Sequence, residues 1–224
     1  MKSKVKTLYT ISILLTILSL IVPLAALLFL PDAIPAHYNA AGAVDRWGSK
    51  YEVLIFPAFI IPYSVFWTAC GRLHWRGQGE KASELIWIIG GVVQLIVFVA
   101  LQLYFLYADF RQVEHLGLLP VDIHRFLCAL CGLGLIALGN YMPKLKQPGP
   151  MGLRTPWSMK NETVWRKCQR FGGWAMAAAG AASIAAAMLV GGAWCWVWMT
   201  LALTAAGAAG VVYSWQISKA VPDD

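Results

Sequence analysis

Six apolar runs divide the chain: Leu8–Leu30, Val53–Gly71, Leu85–Ala108, Phe126–Met142, Phe171–Val190 and Ala193–Trp215. A helix needs roughly 20 apolar residues to cross a bilayer, so each run predicts one span. Inside hydrocarbon a helix satisfies its own backbone donors and acceptors. Charged residues separate all the runs except the last two, which Gly191-Gly192 joins as a turn. The pattern predicts an all-α polytopic membrane protein, a bundle of about six transmembrane helices. The first run follows Met-Lys-Ser-Lys-Val-Lys and is longer than the 7–15-residue core of a signal peptide, so it reads as an uncleaved span.

Composition agrees. Of the 224 residues, 59% are hydrophobic and 13% charged, and the mean hydropathy is +0.62. A soluble domain cannot hide that much apolar surface. The formal charge of +7 raises the question of nucleic acid. Its distribution gives a simpler answer. With the N terminus inside, fourteen of the 18 Lys and Arg residues fall on the cytoplasmic side, leaving only Arg46, Lys50, Arg111 and Arg125 outside. That is the positive-inside bias, and it predicts that both termini are cytoplasmic. Direct nucleic-acid binding is not expected. The five cysteines are odd in number and mostly lie in apolar runs, which argues for packing rather than a disulfide framework.

Within the spans, Gln94, Gln102 and Asp109 recur at intervals of eight and seven and so share a helix face; Asn140 lies near the inner end of the fourth span. They read either as interhelical hydrogen-bonding groups or as a polar path for a small or lipid-like solute. The second possibility defines one rival function, a transporter or flippase. Small residues crowd the fifth and sixth spans and predict a tight hairpin between them. Pro23 predicts a kink in the first.

The first outside loop, residues 31–52, holds Pro31, Pro35, Gly42 and Gly48 at turn-forming places. Two readings stand for it. One is a ligand-binding surface with His37, Asn39, Gly42, Asp45, Trp47 and Lys50 as contacts. The other is a self-bonded cap over the helix ends. His37, Asp45, His115 and His124 define a second rival, an extracytoplasmic metal-dependent enzyme. They lack a recognised metal-ligand spacing, and Asp122 reads equally well as the N-cap of the fourth span. No metal or other cofactor is expected, and no enzyme activity: no activated nucleophile, phosphate-cradling loop or paired-carboxylate site is visible.

On the inner side, residues 143–171 carry seven basic residues and one acid, Glu162. Pro148-Gly149-Pro150 breaks structure, and Asn161 reads as an N-cap. Trp157 and Trp165 are expected at headgroup depth. Arg154, Thr155, Pro156, Trp157, Asn161, Trp165, Lys167 and Arg170 form a candidate surface for anionic lipid or a cytoplasmic protein.

These loops also resemble a known family. Ile34-Pro35, His37, Asn39, Gly42, Asp45, Gly48 and Lys50 look like an N-terminal membrane module of unknown function. Gly139-Asn140-Tyr141-x-Pro143, Gly152-x-Arg154-Thr155-Pro156-Trp157 and Asn161-Glu162-x-Val164-Trp165-x-Lys167 are similar to the SdpI family of bacterial toxin-immunity membrane proteins. The resemblance implies two parts: a two-helix module over residues 1–84, and a four-helix region over residues 85–224 containing the basic loop. It further implies a bacterial plasma-membrane protein that protects against a secreted antimicrobial peptide. A peptide toxin would meet the outer loop, and a cytoplasmic transcriptional repressor would be held at the inner one. Family members often carry His where this chain has Gln169.

Overall fold

The computed structural model describes residues 2–78, 81–147, 151–190 and 192–222. Its six long helices are α1 (Lys2–Ala26), α2 (Ile55–Gln78), α3 (Lys81–Phe110), α4 (Ile123–Tyr141), α5 (Glu162–Leu189) and α6 (Trp194–Ala220). All six are long and apolar enough to cross a membrane. The all-α polytopic bundle is therefore what the chain forms, and it is a multi-pass membrane protein. Ile13, Leu14 and Ile21 on α1, and Trp194, Leu201 and Val212 on α6, stay exposed as hydrocarbon-facing surface.

Helix ends depart from the apolar runs where capping overrides hydropathy. α5 starts at Glu162, well before Phe171, because the Asn161 side chain accepts from Val164 N at 2.9 Å and caps an amphipathic polar turn. α1 ends at Ala26 rather than Leu30, and the chain turns through Leu27–Leu30. Pro148-Gly149-Pro150 and Gly191 lie outside the described residues.

Neighbours in sequence are neighbours in space. α1 packs on α2 and α3, α3 on α4, α4 on α5, and α5 on α6. The closest approach is between α4 and α5. A Cβ added at Gly132 would sit 2.7 Å from Gly180 O, and one at Gly180 2.5 Å from Gly132 O. Gly139 and Gly173 repeat the arrangement at 2.7 and 2.5 Å. Real Cβ atoms do not come that close to a carbonyl, so only glycine permits this backbone contact. The α5–α6 hairpin forms as well, and Phe171 stacks on Tyr213 across it at 4.2 Å between ring centroids. Yet Gly173 and Gly180 of α5 face α4, Gly172 faces Met142 and Leu153, and Gly207 of α6 has nothing within 4 Å.

Polar groups inside the bundle are joined between helices. Ser64 of α2 receives Thr16 Oγ1 of α1 at 2.7 Å, and Tyr63 OH of α2 donates to Gln94 Oε1 of α3 at 2.9 Å. Pro23 has no N–H, so the Ser19 carbonyl one turn earlier loses its helical donor. Gln102 of α3 supplies the replacement, Nε2 to Ser19 O at 2.8 Å.

Between α1 and α2 the chain forms a feature the hydropathy did not predict, a two-stranded antiparallel hairpin of β1 (Ala33–Tyr38) and β2 (Val44–Ser49). Neither strand alternates cleanly between apolar and polar residues, and register shifts interrupt the pairing between Pro35 and Tyr38. The hairpin is clipped to the α3–α4 connection. Val44 N donates to Glu114 O and Leu116 N to Gly42 O, both at 2.8 Å, and Tyr38 OH donates to Val113 O at 2.9 Å.

Gly180→Val should lower the thermal unfolding midpoint of the detergent-solubilised protein, since overpacking of this kind costs roughly 1–3 kcal/mol or more. Gly207→Val carries the same change in helix propensity on an open face. It should leave the midpoint close to wild type.

Candidate functional site

Candidate residues gather at the two ends of the bundle. At the hairpin end, most predicted ligand contacts are bonded within the loop. His37 Nδ1 and Asp45 Oδ1 are 2.5 Å apart and both remain largely exposed. Asn39 Oδ1 accepts from Ala41 N at 2.9 Å and Ala43 N at 3.1 Å, closing an Asx turn around Gly42. Lys50 Nζ lies 2.9 Å from Asp32 Oδ1, and that hydrogen bond and charge hold the Asp32 carboxyl below its ordinary range. Arg46 grips Glu52 with two bonds at 3.0 and 2.8 Å, which raises the guanidinium further above neutrality. These bonds make the loop a self-supporting cap. Trp47 and Tyr51 are large side chains it leaves exposed.

The four metal candidates are not gathered together. His115 Nδ1 accepts from its own loop at Gly117 N, 3.0 Å away. His124 Nδ1 accepts from Trp196 Nε1 at 2.9 Å. Asp122 caps α4, accepting from His124 N and Arg125 N at 2.8 and 3.0 Å. Among the described residues no cluster of three or more His, Cys, Asp or Glu side chains has a metal-holding arrangement.

Beneath the cap lies a cavity of about 450 Å³, running from exposed His37 and Asn39 down to buried Gln102 and Asp109. Its wall includes Phe56, Phe105 and Leu106. Burial, and then the charge of Asp109, push the Tyr38 phenol well above its ordinary pKa. Of Gln94, Gln102 and Asn140, only Gln102 reaches the cavity; Gln94 is spent on Tyr63, and Asn140 is exposed at the other end of α4.

At the opposite end the basic loop is pinned rather than slack. Trp165, expected at the membrane surface, is fully buried, and its Nε1 donates to Leu145 O at 2.8 Å. It anchors the loop from within and is not available as a contact surface. Gln169 is fully buried too and clamps one residue's backbone both ways, accepting from Leu153 N at 3.0 Å and donating to Leu153 O at 3.1 Å. Gly152, beside it, has φ +110°, and a Cβ there would meet the Gln169 amide. Thr155 is held by reciprocal bonds with Ser158, and its Oγ1 donates to Ser214 Oγ of α6 at 2.8 Å. Asn161 caps α5 and reaches Pro222 O at 3.3 Å. Arg154, Pro156, Trp157, Lys167 and Arg170 remain exposed. Sequence reading did not identify Ser158 or Ser214 as anchors: Ser214 meets Thr155 only through the fold, whereas the Ser158 bonds to Thr155 and Leu153 are local and their signal stood in Thr155-Pro-Trp-Ser158.

Comparison with known proteins follows the same two ends. Residues 14–61, which include the hairpin, match a Domain of unknown function (DUF1648). Residues 144–214, from the basic loop through α5 into α6, match the SdpI/YfhL protein family. The chain is 26% identical over 162 residues to the Immunity protein SdpI of Bacillus subtilis (strain 168), covering 72% of each chain. The resemblance read from the two loops is thus borne out, and it relates the chain to a membrane immunity protein family. No solved structure matches it.

Gln169→Leu should leave the Leu153 N–H unpaired, at about 1–3 kcal/mol for a buried group, while Ser158 Oγ still donates to Leu153 O at 2.8 Å. Trypsin added to the loop side of membrane vesicles should then cut after Arg154 several-fold faster than in wild type. Gel electrophoresis of the fragments reads the difference.

Proposed function

We propose that this chain is an immunity protein of the bacterial plasma membrane, protecting its cell from a secreted antimicrobial peptide. The observation that carries the reading is the similarity to Immunity protein SdpI, which extends over 72% of both chains. In this reading the hairpin end faces outward and meets the peptide. The basic end faces the cytoplasm, a placement the clustering of Lys and Arg supports. Exposed Arg154, Pro156 and Trp157 stand on a loop held rigid by Trp165, Gln169 and Ser158, the form a protein-docking surface takes. Its occupant is a cytoplasmic transcriptional repressor, retained at the membrane while peptide is present. Anionic lipid covers the remaining basic face through Lys167 and Arg170.

Coupling between the ends requires the outer ligand to bind two packings of the bundle unequally. The chain that would carry it runs from the hairpin through the α3–α4 connection to α4, and across the glycine contact to α5 and the loop.

Expression in a strain that lacks its own immunity protein should raise survival under the secreted peptide by at least tenfold. Survival equal to an empty vector would remove the reading. A photo-crosslinking residue at position 157 should capture one soluble DNA-binding protein in peptide-treated cells, and the Arg154→Ala, Trp157→Ala double variant should lose that protein from the membrane fraction while remaining there itself. Lipid as the sole product would reduce the loop to a membrane anchor.

A further inference from the structure

The cavity under the hairpin is walled mainly by apolar and aromatic side chains, and its polar groups are unevenly matched. Gln102 is 2% exposed. Its Nε2 is committed to the Ser19 carbonyl, which only an N–H can satisfy, so the amide orientation is settled and Oε1 is the free end. Oε1 has no partner among the described residues. Asp109, one helical stretch further along α3, is 6% exposed, and its carboxyl makes no side-chain hydrogen bond among the described residues. Both residues line the cavity. An unpaired acceptor in such a place costs on the order of 1–3 kcal/mol, and an unpaired carboxylate more.

The rest of the wall fits the same kind of occupant. Among the described residues no Lys or Arg lines the cavity to answer Asp109; of the two imidazoles in its wall, His37 is paired with Asp45, and His124 accepts at Nδ1 from Trp196. Glu52, the other carboxylate there, is already held by Arg46. Phe56, Phe105 and Tyr38 pack together with centroids about 6 Å apart, at 5.9 and 6.1 Å, and all three line the cavity. Aromatic faces beside a buried carboxyl attract cations. A buried amide oxygen and a buried carboxyl without partners among the described residues, beside aromatic rings, describe a site that takes a positively charged hydrogen-bond donor.

We infer that this cavity is a binding site for a compact apolar molecule bearing an ammonium group, with the ammonium on Asp109 and Gln102 Oε1 and the apolar body against Phe56 and Phe105. The volume of about 450 Å³ admits a ligand of modest size. Access comes from the exposed side of the hairpin, past His37 and Asn39. The site goes beyond the immunity reading and stands without it, since binding of a small amine is measured without toxin, repressor or cell survival.

The test uses full-length protein in phosphatidylcholine nanodiscs at pH 7, with 1-adamantanamine as probe and isothermal titration as readout. 1-Adamantanol and 1-adamantanecarboxylate keep the apolar cage and replace the ammonium. The amine should bind at one site per chain, at least tenfold tighter than the alcohol, with the carboxylate weaker still. Asp109→Asn, which preserves shape, should weaken the amine at least tenfold and leave the alcohol unchanged. Phe105→Leu should weaken the amine by a smaller factor. Equal binding of amine and alcohol to wild type would overturn the assignment, whatever the variants do. Uptake of the amine by empty nanodiscs equal to that by loaded ones, or an Asp109→Asn protein that binds it as wild type does, would also overturn it.

Discussion

Hydrocarbon offers no hydrogen bonds, and that single scarcity organises the interior of this protein. Each polar group inside the bundle has to be matched from within the chain. Pro23 leaves the Ser19 carbonyl without a donor, and Gln102 of a different helix supplies one. Ser64 answers Thr16, and Gln94 answers Tyr63. These bonds fix how α1, α2 and α3 sit together where apolar packing alone gives little directional preference, because lipid tails are as apolar as leucine. The same scarcity makes Asp109 and Gln102 Oε1 informative. An unmatched acceptor beside a cavity marks a place for something the chain does not contain.

The other half of the bundle is organised by close approach instead. Gly132 and Gly139 of α4 meet Gly180 and Gly173 of α5 with backbone against backbone, so the two helices share a long van der Waals contact with no side chain between them. α5 then extends beyond the apolar run as a polar, N-capped segment that carries Trp165 and Gln169 into the basic loop. A rigid α4–α5 pair gives that loop a fixed platform. At the other end, the hairpin is hydrogen-bonded to the α3–α4 connection, and its Ile34 shares a core cluster with Ala26 of α1 and Leu106 of α3. The two regions of interest thus both attach to α4, one at each end.

The two family matches fall on separate stretches: residues 14–61 include the hairpin, and residues 144–214 run from the loop into the helices after it. The relation to an immunity protein directs attention to surfaces rather than to a reaction centre. His37 and Asp45, two of the four candidate metal ligands, are paired with each other in the hairpin and lie exposed to solvent.

The sequence by itself determined the helical class, the six spans and the two patterned loops, because hydropathy over some twenty residues and the charge between runs are properties of composition that no neighbour alters. It also determined local caps: Asn161 and Asp122 bond to amides two or three residues on, so their roles are written within a few positions. Only the tertiary structure decided the rest. The hairpin depends on acceptors at Val113 and Glu114, far along the chain, and its strands carry no periodic signal of their own. Trp165 reads as an interfacial residue until the Leu145 carbonyl is brought to its indole, and Gln169 as a substitution until Leu153 is folded against it. Small residues announced close packing, yet which helix they faced was a matter of rotation about the α5 axis, which the pattern of glycine and alanine leaves open. Asp109 and Gln102 share a face by spacing alone. That the face opens on a cavity lined by aromatic rings follows from where the hairpin comes to rest.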